Sequence, residues 1–350
     1  MKKIGIIAES NNSFAIWNAT KMHITIMKEI NNVQLIVCVP SKDANVGLIQ
    51  KDIYEYKLEL FDSYPKLIKI ISAYKCDFVW CPNMHVVSKL RLFSMFRTIP
   101  PIIYWIQGSA PDESFMRNNS FVRKSILRAI ERFAIMGSSK FIYVSESMKS
   151  YYESMYPVNN KKSIVVPCLS EFEEVSIDSP KIPNSYIYVG GLAKWQCFED
   201  ILSVYKRIQT DNSIFHIITF NTEEAKNLVI KEGIDLSRVK IYSVTDRLEM
   251  PKILSQFQFG FLIRRNSPVN FVASPIKFLE YISCNVNVIM TDAIPSYAKI
   301  VKENNIGTIV DIHNMDSISI LPYNPDAYKV FESKFTRKNF VKKYHSLLLN

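Results

Sequence analysis

The chain of 350 residues is long enough for two domains, and its composition, 48% hydrophobic and 22% charged, is typical of a globular protein. It has no run of about 18 apolar residues, which predicts no membrane-spanning helix, and its short apolar start predicts a β-strand rather than a signal peptide. The six cysteines and five histidines are scattered, so we expect no disulfide framework, no bound metal and no cofactor, in a cytoplasmic protein.

The net charge of +10 is unevenly distributed along the chain. Residues 1–170 contain 22 Lys and Arg against 13 Asp and Glu, whereas the rest of the chain is nearly neutral. This asymmetry predicts an anionic partner for the N-terminal half. Because the sequence has no helix-turn-helix, zinc-finger or RNA-recognition signature, we expect that this partner is not a nucleic acid.

Short apolar segments rich in Ile, Val, Tyr and Phe alternate with segments of helical periodicity. Their continuous hydrophobicity predicts parallel strands that are covered by helices on both faces. The predicted strands are 3–8, 34–39, 78–81, 102–106, 141–145 and 164–167 in the first half, and 186–189, 215–220, 239–244, 259–263, 287–290 and 307–310 in the second. Two such arrays predict an α/β protein with two Rossmann-like, doubly wound domains.

An aperiodic segment rich in Ser, Pro and acidic residues separates the two arrays. We therefore expect an N-terminal domain over 1–170, a linker over 171–184 and a C-terminal domain over 185–334. The last helix, 335–350, either packs on the second sheet or crosses back to the first domain.

The predicted helix 121–136 has an apolar stripe and a separate basic face. The stripe contains Val122, Ile126, Ile130 and Phe133. The basic face contains Lys124, Arg128 and Arg132. Like charges four residues apart destabilise a helix slightly, so we expect an external anion to compensate them, and a basic amphipathic surface suits anionic lipid headgroups. The alternative is an ordinary solvated helix face.

Two segments of the C-terminal half have the residues of a phosphate site. In the first, a strand leads into Gly190 and Gly191, then into a loop with Lys194 before a helix. Adjacent glycines let a ligand approach the backbone, and the lysine and the helix N-terminus supply positive potential. The alternative is a simple strand-to-helix turn.

The second segment combines a loop with Arg264 and Asn270 and a helix that we expect to begin with Ser274 as N-cap and Pro275 as first residue. On that helix Lys277 and Glu280 share one face, where the ammonium suits a phosphate and the carboxylate suits a ribose diol. The alternative is a capped surface helix with an ion pair. The two segments follow the first and fourth strands of one parallel domain, so both lie at its carboxyl edge, where α/β ligands bind.

The stretch 272–289, VASPIKFLEYISCNVNVI, resembles the donor-binding helix of retaining glycosyltransferases of family GT4, with Glu280 at the second glutamate of their motif. The Arg-x-x-Ser-Pro-Val-Asn pattern before it resembles a subgroup associated with capsule and O-antigen synthesis. The segment around Gly190 is similar to the family's first donor loop, and the final helix resembles its crossover helix. The sequence departs from the family at Val272, Asn285 and Asn287, which replace Glu, Gly and Pro.

The resemblance implies a GT-B fold with two facing Rossmann-like domains, and a C-terminal helix 335–350 that packs on the first, acceptor-binding domain. It implies donor binding by the residues named above, acceptor-side roles for Asn11 and Asn12, and catalytic roles for Asp112 and Glu113, the paired carboxylates of a first-domain loop. The alternative is that those two carboxylates belong to a solvated turn after Pro111.

We therefore expect a hexosyltransferase-type enzyme that moves a sugar from a UDP- or GDP-sugar to a growing, lipid-linked surface glycan with retention of configuration. It would act without a metal, because no Asp-x-Asp occurs, and would lie peripherally on the inner face of the cell membrane. Two alternatives remain open: a non-catalytic GT-B scaffold or activator subunit, and a sugar-nucleotide 2-epimerase.

Overall fold

The computed structural model describes residues 1–9, 14–52, 56–95, 97–170, 172 and 180–349. The chain forms two compact units. The N-terminal unit comprises Met1–Leu169, Val272–Ser274 and Arg337–Asn350, and the C-terminal unit comprises Ser170–Phe271 and Pro275–Thr336.

The N-terminal unit contains a seven-stranded parallel sheet with helices between its strands. Its strands are β1 (Lys2–Ile7), β2 (Val33–Pro40), β3 (Lys57–Phe61), β4 (Phe78–Cys81), β5 (Ile102–Ile106), β6 (Lys140–Tyr143) and β7 (Lys162–Val165). Its first helices are α1 (Phe14–Lys28), α2 (Val46–Asp52), α3 (Tyr64–Ala73), α4 (Met84–Ser94), α5 (Ala110–Asn118), α6 (Phe121–Gly137) and α7 (Glu146–Met155). The strand order is β3-β2-β1-β4-β5-β6-β7.

The C-terminal unit contains a six-stranded parallel sheet in the order β10-β9-β8-β11-β12-β13. Its strands are β8 (Ser185–Val189), β9 (Ile214–Ile218), β10 (Val239–Tyr242), β11 (Phe259–Leu262), β12 (Asn287–Met290) and β13 (Gly307–Ile309). The helices that follow in the chain are α8 (Phe198–Ile208), α9 (Thr222–Glu232), α10 (Met250–Leu254), α11 (Pro268–Val272), α12 (Ile276–Ser283), α13 (Pro295–Asn304), α14 (Ala327–Phe335) and α15 (Arg337–Leu349). The predicted fold class, two Rossmann-like α/β domains, is confirmed.

One strand of the N-terminal unit is missing from the sequence-based prediction. Strand β3, with sequence KLELF, pairs with β2 at the edge of the sheet. Its polar and apolar residues alternate, and four of its five residues are not fully buried. A search for continuous apolar segments therefore does not detect it.

One side-chain cap and one glycine fix the local geometry of α4 and β13. The Asn83 side chain accepts hydrogen bonds from the backbone amides of His85 and Val86, both 3.0 Å long, and so starts α4 directly after β4. At Gly307, φ is +155°, and a Cβ atom would lie 2.0 Å from the carbonyl oxygen of Val288. Only glycine therefore allows β13 to pair closely with β12.

The C-terminal helix α15 belongs to the N-terminal unit, where it packs against α1 and β7. Tyr344 of α15 is fully buried, and its hydroxyl forms a hydrogen bond with Nδ1 of the buried His23. The His23 ring packs against Trp105 and Trp80 at centroid distances of 4.1 and 5.5 Å. Burial lowers the pKa of His23 to about 3, so this imidazole is neutral at physiological pH.

Candidate functional site

The two predicted donor loops leave neighbouring strands of the C-terminal unit. Strands β8 and β11 pair in the middle of the sheet, and from them the strand order runs in opposite directions. Both loops therefore lie at the carboxyl edge of the sheet, at its topological switch point, as the sequence predicts.

Two cationic side chains from these segments converge on one neutral oxygen. Arg264 Nη2 lies 2.6 Å from the side-chain oxygen of Gln196, and Lys277 Nζ lies 2.7 Å from the same atom. Arg264 is 5% exposed, and its backbone is held by hydrogen bonds to and from the Thr291 hydroxyl. Across the described ranges, neither cation forms an ion pair with a carboxylate, so positive charge is concentrated here.

Lys277 reaches this position because glycine stands at 190. The φ angle of Gly190 is +151°, and a Cβ atom there would lie 2.1 Å from Lys277 Nζ. The ammonium also lies over the Tyr188 ring, 4.8 Å from its centroid. Burial and the neighbouring Arg264 lower the pKa of Lys277 to about 7. A bound anion would favour the protonated form of Lys277, so the lysine would bind an anionic ligand as an ammonium.

Glu280 lies one helical turn from Lys277 on α12 and is 7% exposed. Its Oε1 accepts a hydrogen bond from Arg247 Nη2 at 2.5 Å. Arg247 begins the short 3-10 helix Arg247–Glu249 after β10, and its guanidinium lies over the Phe172 ring at 5.6 Å. The sequence did not identify Arg247, because it is distant in the chain and no motif marks it.

The other predicted donor residues have different surroundings. Lys194 is exposed and lines a cavity of about 280 Å³ together with the ion pair of Arg265 and Asp200. Asn270 is buried and donates to the Arg265 carbonyl, which fixes the loop after β11. Gly191 accepts a hydrogen bond from the Tyr188 hydroxyl through its carbonyl.

The predicted start of the donor helix is wrong by one residue. Helix α12 begins at Ile276, and Pro275 occupies the N-cap position in an extended conformation without a side-chain cap. Ser274 is not the N-cap, because its hydroxyl accepts a hydrogen bond from the backbone amide of Cys168 at 3.0 Å.

The departures from the family pattern after this helix have structural roles. Asn285 takes up a left-handed conformation with φ of 56°, and its side chain accepts from the Tyr328 amide. The Asn287 side chain both donates to and accepts from the backbone of Asn324. These asparagines stabilise the path of the chain after α12.

In the N-terminal unit, Asp112 is the centre of a buried ionic network. Its carboxylate accepts from Lys124 at 2.8 Å, Arg128 at 2.7 Å and Tyr151 at 2.7 Å, and also from the Ser109 hydroxyl. Burial raises the pKa of this carboxyl, but these hydrogen bonds outweigh burial and hold the pKa well below its usual range. These bonds engage both carboxylate oxygens and connect Asp112 of α5 to Lys124 and Arg128 of α6, while its catalytic role stays a prediction.

A second buried carboxylate extends this network on α6. Glu131 is 1% exposed and accepts from Arg128 at 2.6 Å, Tyr152 at 2.7 Å and Tyr156 at 2.6 Å. The Tyr152 hydroxyl also contacts the Gly108 carbonyl at 3.1 Å. The network therefore fixes the loop that leads into α5.

The network corrects the predicted reason for the basic face of α6. Lys124 and Arg128 are compensated by Asp112 and Glu131 within the unit, so they need no external anion. Of the three predicted membrane-surface residues, Arg132 alone is exposed. In the predicted apolar stripe, Val122 and Ile126 are 72% and 57% exposed, whereas Ile130 and Phe133 are partly buried.

Glu113, the other predicted catalytic residue, lines a cavity of about 330 Å³ at the carboxyl ends of β4 and β5. One of its oxygens lies against Gly108, where a Cβ atom would be only 2.3 Å away. Burial raises the pKa of Glu113 and lowers that of His85 on the cavity wall. Other polar groups on the wall belong to Asn83, Tyr104 and Gln107.

The predicted acceptor residues Asn11 and Asn12 lie outside the described residues. Within the described ranges, no group of three or more His, Cys, Asp or Glu side chains is arranged to hold a metal ion. In the same part of the chain, no helix is long and apolar enough to cross a membrane.

Comparisons with known proteins agree with the fold. HepE from Anabaena in complex with UDP-glucose is 12% identical over 99% of both chains, with a TM-score of 0.68. A TarM variant from S. aureus, in complex with fondaparinux, alpha-GlcNAc-glycerol and UDP, is 10% identical over 100% of both chains, with a TM-score of 0.65. Sucrose-phosphate synthase from Thermosynechococcus elongatus is 10% identical over 99% of this chain and 98% of that one, with a TM-score of 0.61.

No curated protein matches the chain by sequence. Residues 35–169 match the family model described as Glycosyltransferase Family 4. This match lies in the N-terminal unit, whereas the resemblance noted in the sequence is most specific around α12, so the two observations are independent. Residues 35–169 are thus similar to glycosyltransferase family 4, and the chain as a whole has the GT-B fold.

Proposed function

We propose that this glycosyltransferase moves a hexose-type sugar from a UDP- or GDP-sugar to a growing, lipid-linked surface glycan of the capsule or O-antigen type, with retention of configuration. The observation that carries the proposal is the convergence of Arg264 and Lys277 on the oxygen of Gln196. Two cations without a carboxylate partner in the described ranges suit the two phosphates of a nucleoside diphosphate.

The reaction needs stabilisation of the negative charge that develops on the departing diphosphate. Arg264 and Lys277 supply it as fixed cations in a partly buried site, where such interactions are stronger than in water. The N-terminus of α12 adds positive potential. These groups would meet the charge without a metal ion. Glu280 would accept hydrogen bonds from the ribose hydroxyls.

The acceptor side of the proposal rests on the cavity of the N-terminal unit. Glu113 and His85 offer a carboxylate and an imidazole that suit the hydroxyl groups of a sugar acceptor. The rigid network around Asp112 and Glu131 would hold the Glu113 loop in place.

We further propose that the protein lies in the cytoplasm, peripherally on the anionic inner face of the cell membrane. The supporting surface is the N-terminal half of α6 and its neighbours, where Phe121, Val122 and Ile126 are 71%, 72% and 57% exposed. Arg123 and Arg132 are also exposed on α6, and the helix's single carboxylate, Glu131, is buried. An apolar surface with unopposed cations suits anionic lipid.

Incubation with a panel of UDP- and GDP-sugars tests the activity. We expect turnover with an added acceptor, or slow hydrolysis of one donor, with EDTA without effect. Binding without turnover would indicate a scaffold, and conversion of the donor to its 2-epimer would indicate an epimerase. Proton NMR of the product anomer tests retention, and an inverted product would contradict it.

A further inference from the structure

The side-chain oxygen of Gln196 occupies the point on which the two cations of the donor site converge. Arg264 Nη2 and Lys277 Nζ lie 2.6 and 2.7 Å from it. An amide oxygen carries only a partial negative charge, whereas each cation bonds most strongly to a fully anionic oxygen. The geometry is thus that of an anion site in which a neutral oxygen takes the place of the anion.

The position of Gln196 is set by its backbone. Its carbonyl accepts a hydrogen bond from Arg264 Nη1 at 3.1 Å. The next residue, Cys197, is buried and left-handed with φ of 53°, and its amide bonds to the Lys194 carbonyl. This short 3-10 turn between β8 and α8 therefore presents the glutamine side chain to Arg264 and Lys277.

Holding two like charges together costs free energy unless an acceptor separates them. Arg264 is almost completely buried and Lys277 is partly buried, so water screens their repulsion poorly. The shared amide oxygen offsets this cost in the ligand-free protein. It keeps both cations at the spacing that a single phosphate oxygen needs.

We infer that Gln196 is a positioning residue whose amide oxygen stands in for a phosphate oxygen of the donor and gives way to it on binding. This inference rests on the proposed function and adds one requirement, that residue 196 be neutral. A carboxylate at 196 would form two ion pairs with Arg264 and Lys277, and the nucleotide would have to displace a bound anion rather than an amide.

The test is the substitution Gln196→Glu. The control is Gln209→Glu, which places the same charge elsewhere on the C-terminal unit. Among the hydrogen bonds described, the Gln209 side chain donates only to the Lys206 carbonyl. The probes are UDP, GDP and inorganic pyrophosphate, measured by calorimetry. Thermal unfolding checks that each variant folds. We expect Gln196→Glu to weaken binding of pyrophosphate and of the nucleotide roughly 10- to 100-fold, and Gln209→Glu to leave it unchanged.

A second variant, Gln196→Met, removes the hydrogen-bond acceptor but keeps a side chain of similar size. Its readout is the pH dependence of binding, which would not change if Gln196 had a purely structural role. The groups that face the Lys277 ammonium are Arg264, Glu280 and the Tyr188 ring. Without the amide, the Lys277 ammonium loses its acceptor beside Arg264, so binding should begin to weaken at lower pH than in the wild type. In Gln196→Glu, the pH at which binding begins to weaken should be higher than in the wild type.

The results distinguish a failure of the role of Gln196 from a failure of the donor site. Wild-type binding of a nucleotide together with unchanged affinity and pH profile in both Gln196 variants would overturn the inference and leave the proposed function intact. Failure of the wild-type protein to bind UDP, GDP or pyrophosphate would overturn the donor site itself, and the inference with it.

Discussion

The guanidinium of Arg247 donates to the carboxylate of Glu280 over 2.5 Å, although 33 residues separate them in the chain. Glu280 is 7% exposed, whereas about half of the Arg247 side chain is in contact with solvent. The pair thus presents a buried carboxylate, held by a more exposed partner, one turn along α12 from the cation Lys277.

Glu280→Ala should weaken binding of the donor nucleotide by about 10- to 100-fold, because a hydrogen bond between a charged group and the ribose is worth roughly 1.5–3 kcal/mol. Calorimetry with UDP and GDP measures it. Arg247→Ala in the same background gives a double-mutant cycle. If Arg247 acts by holding Glu280, Arg247→Ala should change nucleotide affinity much less in the Glu280→Ala background than in the wild type. An unchanged nucleotide affinity in Glu280→Ala would show that Glu280 is not part of the site.

Binding of the nucleotide should weaken as pH rises above 7. Burial and Arg264 lower the pKa of Lys277 to about 7 in the ligand-free protein. A bound diphosphate raises that pKa, so above pH 7 binding requires uptake of a proton, and affinity should fall by up to about tenfold per pH unit. Calorimetry between pH 7 and 9 measures the slope. Lys277→Arg, which stays charged over this range, should have a flatter profile, and equal slopes in both proteins would contradict the assignment.

Asp112 and Glu113 are adjacent in sequence but should behave differently when substituted. Asp112→Ala leaves the partly buried cations Lys124 and Arg128 without their buried carboxylate, so we expect a loss of about 3 kcal/mol and a fall in Tm of roughly 6–12 °C. Glu113→Gln should leave Tm nearly unchanged and lower kcat/KM about 10- to 100-fold. Calorimetric unfolding and donor turnover distinguish them. A stable Asp112→Ala protein, or a fully active Glu113→Gln protein, would contradict these separate roles.

Acid should destabilise the N-terminal unit through His23. The pKa of this imidazole is about 3 in the folded protein because of burial, and near 6.5 in an unfolded chain. The unfolded state therefore binds a proton first as pH falls below 6.5, and the free energy of unfolding should fall by up to about 1.4 kcal/mol per pH unit. Urea unfolding at pH 7, 6, 5 and 4 measures this slope. His23→Gln, which keeps an amide beside the Tyr344 hydroxyl, should have a smaller slope, and an identical slope would assign the effect to other groups.

Membrane binding should depend on the exposed cations of α6 rather than on those inside the Asp112 network. Arg123→Glu with Arg132→Glu should weaken binding to vesicles of phosphatidylcholine and phosphatidylglycerol by at least roughly 30-fold, at about 1 kcal/mol for each basic residue. The matched control is Lys226→Glu with Lys252→Glu on the C-terminal unit. Co-sedimentation at low and high salt is the measurement. An equal loss of vesicle binding in both double variants would indicate that α6 is an ordinary solvated helix. Wild-type binding that does not require anionic lipid would indicate the same.

The sequence by itself determined the fold class and the sheet edge at which the two predicted donor loops lie. Continuous apolar strands can only be buried on both faces, so their alternation with helices is enough to specify two parallel sheets. The glycine at 190 and the segment from Arg264 to Glu280 identified the loops of β8 and β11, because parallel strands bring such loops to one edge. Both results follow from the periodicity of apolar residues and from the order of the segments in the chain, and both can be read from the sequence alone.

Only the tertiary structure decided which side chains meet at that edge. Gln196 and Arg247 have no sequence signal, since their roles come from contacts with Lys277 and Glu280 across long separations in the chain. The same holds for Asp112, whose partners Arg128 and Tyr151 lie on other helices. A charged side chain can be solvated, paired with an opposite charge or available to a ligand. Which of these holds depends on its burial and on its distance to the nearest opposite charge, and the packing of helices and strands determines both.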